Sequence, residues 1–341
     1  MRPTFSIICF TVLSGIGYGT WVLFGLALAV GPFCDLPSMD GGKLVVHCRG
    51  VYPDPTGFVL AFALVAAGLS CSLGHLGKPL RAWRALSQWR SSWLSREGVL
   101  VLLTFVPATI LLADLLSALG GAPDHLHGAF IADAGLGLRV CGAALAAGSL
   151  ATVYCTANIY SSLPPIRAWR DPRVMPGYLL MALLGGALLL AASGTLFAAV
   201  GPIWRVPLFA GIIVLAAACT WLKLRYWHAI DALPAPDAGH ATGLSGLGDV
   251  RSFEAPHTEE NYLTHEMGFV LARKHARKLR RIALVLAFLV PGLLALVALV
   301  VPAIGMPAAW LALAAGLAGL FVERWLFFAE AKHAVMAYYA R

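Results

Sequence analysis

Residues 282–322 read IALVLAFLVPGLLALVALVVPAIGMPAAWLALAAGLAGLFV, and none of these side chains carries a charge. About 20 apolar residues in helical conformation cross the hydrocarbon layer of a bilayer, so the run is long enough for two crossings. Pro302 and Pro307 enclose the short segment AIGM, and proline interrupts helices because it lacks an amide donor. The run therefore predicts two membrane-spanning helices joined by a tight turn.

Further uncharged runs recur along the chain, at 5–30, 57–76, 98–113, 140–166, 174–204 and 206–222. The composition agrees, since 59% of the residues are hydrophobic, 12% are charged and the mean hydropathy is +0.78. These values lie outside the range of soluble globular domains. We therefore predict an all-α integral membrane protein with eight transmembrane helices in a single membrane domain, residues 1–341. The predicted spans are approximately 5–30, 57–75, 97–119, 137–160, 177–201, 206–227, 281–301 and 307–329.

The distribution of Lys and Arg predicts how these helices are oriented. Basic residues concentrate in the second, fourth and sixth loops (75–96, 158–176 and 223–281), whereas the first loop has only Lys43 and Arg49. Cytoplasmic loops of membrane proteins carry the excess of positive charge, so we expect the even-numbered loops and both termini in the cytoplasm. The net charge of +8 then reflects membrane topology and does not indicate binding to nucleic acid.

The cysteines form no CxxC pair and no cluster with metal-ligand spacing, so we expect no metal site in this chain. Cys34 and Cys48 differ from the others because both fall in the first loop, which the topology places outside. An oxidising compartment permits a disulfide between them, and the sequence leaves open whether it forms.

The sixth loop is the one sizeable soluble insertion between the predicted spans. Residues 231–256 are rich in Pro, Gly and Ala, which is typical of an extended linker. Residues 257–281 then read HTEENYLTHEMGFVLARKHARKLRR, with apolar side chains at helical spacing that predict an amphipathic helix. Such a helix lies on the cytoplasmic membrane surface or docks a cytoplasmic partner, and both interpretations stay open.

The second loop and its flanks, CSLGHLGKPLRAWRALSQWRSSWLSRE (residues 71–97), are the most informative for function. Ionisable residues at the edge of a hydrocarbon layer cost free energy and usually serve a function there. His75 could accept a proton from a hydroxyl near neutral pH, and Glu97, kept ionised by a helix N-terminus, could take it onward. This chemistry suits a hydroquinone that loses two protons and two electrons. The alternative is a cluster of snorkelling cations that only fixes the topology.

Two segments resemble a known family. GHLGKPLRAWRALSQWRSSWLSRE (74–97) resembles the signature of the membrane-anchor subunits of dimethyl sulfoxide reductase and related three-subunit molybdenum oxidoreductases, and YCTANIYSSLPPIRAW (154–169) is similar to that family's fourth span and following loop. The resemblance implies an eight-helix anchor in the bacterial cytoplasmic (inner) membrane that binds quinone (ubiquinone or menaquinone). It also implies two partners on the cytoplasmic face, a four-cluster iron–sulfur subunit and a molybdopterin catalytic subunit.

The resemblance also assigns residues. The family's quinol-site histidine falls on His75 and its matching acidic residue on Glu97. Three further residues match motif positions and are expected to contact quinone or the iron–sulfur subunit: Arg81, Ser95 and Arg96. Tyr160, in the second segment, is expected to hydrogen-bond a quinone oxygen. The length and the basic sixth loop are most similar to the branch associated with sulfite dehydrogenase, which implies electron flow from sulfite to quinone; a dimethyl sulfoxide reductase-type anchor that oxidises menaquinol is the alternative.

Three other functions are weighed against this one. A haem anchor needs axial ligands within the spans, and no histidine lies mid-span, so no haem is expected. A transporter would show buried charges near the midplane, whereas Glu323 and Arg324 lie towards the cytoplasmic end of the last span, where they would pair with neighbours or with another helix. A purely structural anchor without quinone contact is the third alternative, and loss of quinone-coupled electron transfer in His75→Ala would distinguish it.

Overall fold

The computed structural model describes residues 3–30, 38–40, 43–45, 55–74, 76–119, 134–196, 202–234, 237–250, 253–254, 259 and 271–339. Three residues singled out in the sequence, Cys34, Cys48 and His75, lie outside these described residues. The proposed disulfide and the position of the imidazole therefore stay predictions. The same holds for residues 257–270 of the amphipathic helix predicted in the sixth loop, apart from residue 259.

Long helices make up most of the described chain. They are α1 (Phe5–Val30), α2 (Pro55–Leu73), α3 (Trp93–Leu119), α4 (Ala134–Ser161), α5 (Val174–Leu196), α6 (Pro202–Asp231), α7 (Leu271–Leu284, continuing through a π-helical turn, Val285–Leu289, into Val290–Val300) and α8 (Gly305–Ala329). Two short antiparallel strands, Ser38–Asp40 and Lys43–Val45, lie between α1 and α2. Within the described residues, eight helices are long and apolar enough to cross a membrane, as the sequence predicted.

Several helices extend beyond the predicted spans because an apolar run marks the hydrocarbon layer and not the whole helix. α3 begins at Trp93, so Glu97 lies in its second turn and not at its N-terminus, where the helix dipole acts most strongly. α6 continues to Asp231, four residues beyond the predicted span 206–227, so Lys223, which the charge count assigned to the sixth loop, lies well inside the helix. The segment after α6 is also not a purely extended linker, since Ala238–Thr242 forms a short helix capped by the Asp237 side chain.

α1 lies at the centre of the bundle and packs against α2, α4 and α5, while α3 packs against α4. α6, α7 and α8 pack against one another in sequence order, and α5 connects them to α1. α1 and α5 approach closely at Gly19 and Gly186, since a Cβ on either glycine would overlap the backbone of the other helix. The Gly185–Gly186 pair therefore permits close helix packing, as such small residues do in membrane bundles.

Candidate functional site

The Glu97 carboxylate is buried between α3 and α4. Only 6% of the residue is exposed, and the Thr156 hydroxyl of α4 donates a hydrogen bond to its Oε1 atom. The same hydroxyl oxygen lies 3.0 Å from the carbonyl oxygen of Thr152, one turn earlier in α4. The single hydrogen of Thr156 can therefore serve either acceptor. When Glu97 is ionised the hydroxyl donates to the carboxylate; when Glu97 is protonated it can donate to Thr156, which then donates to Thr152.

The segment between α2 and α3 forms a 3₁₀ helix, Pro79–Gln88, that has no buried residue. We call residues 76–92 the hinge. Two motif residues of α3 hydrogen-bond to the backbone of the hinge. Ser95 Oγ donates to the carbonyl oxygen of Ala85 (2.5 Å), and the Arg96 guanidinium donates to the carbonyl oxygens of Trp89 and Arg90 (3.0 and 2.7 Å). Ser95 and Arg96 therefore fix the position of the hinge over the end of α3.

The other motif residue of the hinge, Arg81, has an exposed side chain on the 3₁₀ helix. On either side of position 75, the Gly74 amide donates to the carbonyl oxygen of Cys71 (3.0 Å) and the Leu76 amide to that of Leu73 (3.1 Å). The backbone thus turns out of α2 on both sides of this position. The last described residues of α2 and the first turns of α3 flank the same hinge.

Tyr160 lies one turn after Thr156 in α4, at the centre of an aromatic cluster. Its ring contacts those of Trp169, Tyr178, Phe327 and Phe328, with centroid distances of 5.3–5.9 Å. The Trp169 indole nitrogen also donates to the carbonyl oxygen of Phe327 (3.0 Å), which connects the loop after α4 to α8. Tyr160 thus connects α4 to α5 and α8. Thr156, which contacts Glu97, lies one turn away on the same face of α4.

A buried ion cluster lies between α6 and α8. Glu323 is fully buried and contacts Lys223 Nζ through Oε1 and Arg324 Nε through Oε2, both at 2.5 Å. The Lys223 ammonium lies 4.3 Å from the ring centroid of Tyr226, and the Arg324 guanidinium lies 4.3 Å from that of Tyr178. Glu323 and Arg324 therefore pair with each other, as neighbours, and with a second helix. Counting Lys223 with the sixth loop was wrong, although the predicted span 206–227 contained it, because the residue lies within α6 and is 4% exposed.

Comparison with known proteins identifies the family. A sequence model of the family described as DMSO reductase anchor subunit (DmsC) matches residues 1–329. This chain belongs to the DMSO reductase anchor subunit family. A sulfite dehydrogenase subunit of Allochromatium vinosum is 30% identical to it, and the alignment covers 99% of each chain. No solved structure matches. The resemblance inferred from the two motifs is thus confirmed, and membership implies association with the catalytic and iron–sulfur subunits of a molybdoenzyme.

A cleft of about 420 Å³ lies elsewhere on the anchor subunit, where α6 and α8 end and α7 begins, near the loop after α4. Arg280 bridges its two walls, because its guanidinium contacts Asp231 at 2.6 and 2.8 Å and Glu330 at 2.8 Å. Burial raises the pKa of the Glu330 carboxyl above its ordinary value, against the opposing effect of Arg280. Among the described residues, those lining this cleft include Pro165, Arg167 and Ala168 of the second motif but no residue of the first motif, so the anchor subunit has a second polar region apart from Glu97.

Two functional candidates of the anchor subunit were not found from the sequence. Thr156 lies within the second motif, but a threonine in an apolar helix usually bonds to its own backbone, so nothing in the sequence marked it as a partner of Glu97. Lys223 was counted among loop cations because it lies near the end of an uncharged run. Its position between two spans, and the carboxylate opposite it, become visible only when α6 and α8 are packed together.

Proposed function

We propose that this chain is the quinone-interacting anchor of a three-subunit molybdenum oxidoreductase in the bacterial inner membrane, with both termini in the cytoplasm. The observation that carries this proposal is the hydrogen bond between Glu97 and Thr156. It joins the two sequence motifs at one buried point beneath the hinge. A carboxyl group that is buried beside an adjustable hydroxyl has a partner in both protonation states, which suits a group that exchanges protons with a bound quinone.

The chemistry assigned to the site is reduction of a quinone, which takes up two electrons and two protons to give the hydroquinone. The electrons arrive from the iron–sulfur subunit. His75 hydrogen-bonds a quinone oxygen and exchanges a proton with it, as an imidazole can near neutral pH. Glu97 exchanges that proton with His75, and the second proton reaches the other quinone oxygen from water at the cytoplasmic face. Ser95 and Arg96 hold the hinge in place. Quinol oxidation is the same sequence in reverse, and ubiquinone or menaquinone serves as substrate.

The hinge supports docking of the iron–sulfur subunit near this site. Leu80, Trp83 and Trp89 are 92%, 68% and 51% exposed, and the arginines beside them are also exposed. Aromatic residues and Arg are enriched at protein–protein interfaces. We therefore place the four-cluster iron–sulfur subunit on the cytoplasmic face over the hinge, with the molybdopterin subunit beyond it. An electron would then leave the last cluster close to the quinone.

The substrate that the similarity favours is sulfite, because the Allochromatium vinosum relative is a sulfite dehydrogenase subunit and matches over its whole length. Sulfite and water would give sulfate, two protons and two electrons on the catalytic subunit, and the electrons would reduce quinone at the anchor. The family description favours a second candidate, an anchor that oxidises menaquinol so that dimethyl sulfoxide is reduced. The two candidates differ in the direction of electron flow.

The experiment uses the complex that co-purifies with this chain from detergent-solubilised membranes. Sulfite-dependent quinone reduction and quinol-dependent dimethyl sulfoxide reduction are measured on the same preparation, together with sulfite oxidation by a soluble dye that bypasses the anchor. We expect Glu97→Gln and His75→Ala to lower quinone-linked turnover by about 10²-fold or more, the usual size of an acid–base contribution. The dye reaction should not change.

Glu254→Gln is the matched control for the charge change, because Glu254 is exposed in the loop after α6. It should retain full quinone-linked turnover. If Glu97→Gln and His75→Ala both turn over quinone at the rate of the unmodified complex, the chain is a structural anchor and the proposal is wrong.

A further inference from the structure

The first turns of α7 carry three exposed cations, Arg277, Lys278 and Arg281. Their positions fall on one side of the helix, because residues three and four apart share a face. Arg280 lies on another side, where it contacts carboxylates at the ends of α6 and α8. Among the described residues, none of the three exposed cations forms an ion pair. Their charges are thus left for an anion from outside the described chain.

The same side of α7 continues along the span as an exposed apolar stripe. Val285 lies one turn after Arg281, and the stripe consists of five side chains that are 43–70% exposed: Val285, Leu289, Leu293, Leu296 and Val300. An exposed apolar surface of this length marks contact with a membrane or a partner. Because the chain belongs to a family of membrane anchors and this helix is long enough to cross a bilayer, acyl chains are the expected cover.

The exposed cations lie at the depth of lipid headgroups. Ile282 begins the uncharged run of this span, so it marks the edge of the hydrocarbon layer. With a rise of about 1.5 Å per residue, the Cα atoms of Arg281 and Arg277 lie about 2 and 8 Å beyond that edge. The headgroup region on each side of a bilayer is about 5–8 Å thick. A guanidinium at this depth meets the phosphates of the lipids.

α6 supplies the other side of the same surface. The Arg280 guanidinium lies 5.4 Å from the ring centroid of Trp227, so the two helices are in contact at this level. Beside this contact, α6 exposes Leu224 (51%) and the His228 side chain, and Trp221 (61%) lies one turn before Leu224. Tryptophan is typical of the layer between headgroups and hydrocarbon. The exposed faces of α6 and α7 therefore border one lipid-facing groove, with the cations at the end where α7 begins.

We propose that this groove binds an anionic phospholipid. The phosphate pairs with Arg277 and Arg281, and the acyl chains cover Leu224 of α6 and the beginning of the apolar stripe of α7. Basic pockets between transmembrane helices recognise anionic headgroups in this way. A zwitterionic lipid brings its own cation and gains less from the same site. A soluble partner subunit reaches the cations but not the stripe, which runs the length of the span, so the geometry favours a lipid. Quinone turnover plays no part in this inference.

The test labels the delipidated whole complex, in detergent, with a photoactivatable phosphatidylglycerol and maps the labelled peptides by mass spectrometry. We expect labelling of α6 and α7 at the end where α7 begins. Unlabelled phosphatidylglycerol should compete more strongly than phosphatidylcholine with the same acyl chains. Inorganic phosphate should not compete, because it lacks the acyl chains.

The double variant Arg277→Gln/Arg281→Gln should raise the lipid concentration that gives half-maximal labelling by about 30-fold, since each cation near an anionic headgroup contributes about fivefold. Arg277→Lys/Arg281→Lys keeps both charges and should retain most of the binding. The matched control is Arg167→Gln/Arg170→Gln, which removes the same charge from exposed positions in the loop after α4. It should leave the labelling of α6 and α7 unchanged.

Four results overturn the lipid site. Equal competition by the two lipids shows that the groove does not select an anionic headgroup, and competition by inorganic phosphate shows an anion site that needs no lipid. An equal loss of labelling in the control shows general attraction by a basic surface. If Arg277→Gln/Arg281→Gln releases the iron–sulfur subunit while labelling stays unchanged, the cations dock that partner instead.

Discussion

Neutralising Glu323 should destabilise the bundle strongly, and the size of the effect follows from the ion cluster. Glu323 is fully buried, and its two oxygens contact the Lys223 ammonium and the Arg324 guanidinium, whose side chains are 5% and 6% exposed. Removing one partner of a buried ion pair typically costs about 3–5 kcal/mol because it leaves an uncompensated charge. Lys223 can release its proton, whereas an arginine cannot. We therefore expect Glu323→Gln to lower the free energy of unfolding by about 3 kcal/mol, the lower end of this range.

Equilibrium unfolding of the purified chain in mixed micelles with increasing SDS measures this loss. The double variant Glu323→Gln/Lys223→Met provides the internal control, because it removes one of the two cations that the single variant leaves uncompensated. The double variant should be more stable than Glu323→Gln alone. A double-mutant cycle measures the coupling free energy between the two positions directly. A loss below about 1 kcal/mol in the single variant, the level of an exposed pair, would refute the reasoning. So would a double variant less stable than the single one.

Three further predictions concern other parts of the chain. Gly19→Val should prevent α1 from packing against α5 and abolish assembly, measured by size-exclusion chromatography, whereas Gly15→Ala in the same helix should assemble normally because no atom lies within 4 Å of its added Cβ. Ser95→Ala should increase amide hydrogen exchange across Pro79–Gln88, since the hinge loses its bond to α3. Between the ordinary pKa of Glu330 and its raised folded value, the folded chain binds the proton more tightly than the unfolded chain, so stability falls as pH rises through that window. Glu330→Gln should remove this dependence in unfolding curves measured across pH.

The helices were the most predictable feature, and their ends were not. A continuous apolar run is a local property, and about 20 such residues match the thickness of a bilayer. The number of long helices therefore followed from composition and proline positions. The beginning of α3 at Trp93 and the end of α6 at Asp231 did not, because charged and aromatic residues beyond the apolar run still continue a helix. The earlier start of α3 moved Glu97 away from the helix N-terminus, and packing against α8 buried Lys223, which the predicted span 206–227 already contained.

The motifs located the candidate site along the chain but did not describe its geometry. The first motif contained Glu97 together with Ser95 and Arg96, and only the structure separated the buried carboxylate from the two residues that hold the hinge. The second motif drew attention to Tyr160, whereas the residue that contacts Glu97 is Thr156, one turn earlier. Spacing within a motif shows which residues share a helix face, but it does not show which face meets another helix.

The class of this protein, the number of its long apolar helices and the family to which it belongs all followed from the amino-acid sequence, because they depend on local composition and on short motifs. The packing of the helices decided everything that depends on partners far apart in the chain. The hydrogen bond from Thr156 to Glu97 and the pairing of Lys223 with Glu323 are of this kind. Each is set by the distance and rotation between two helices, and these arise from close contacts such as that of Gly19 with α5, which no single helix encodes.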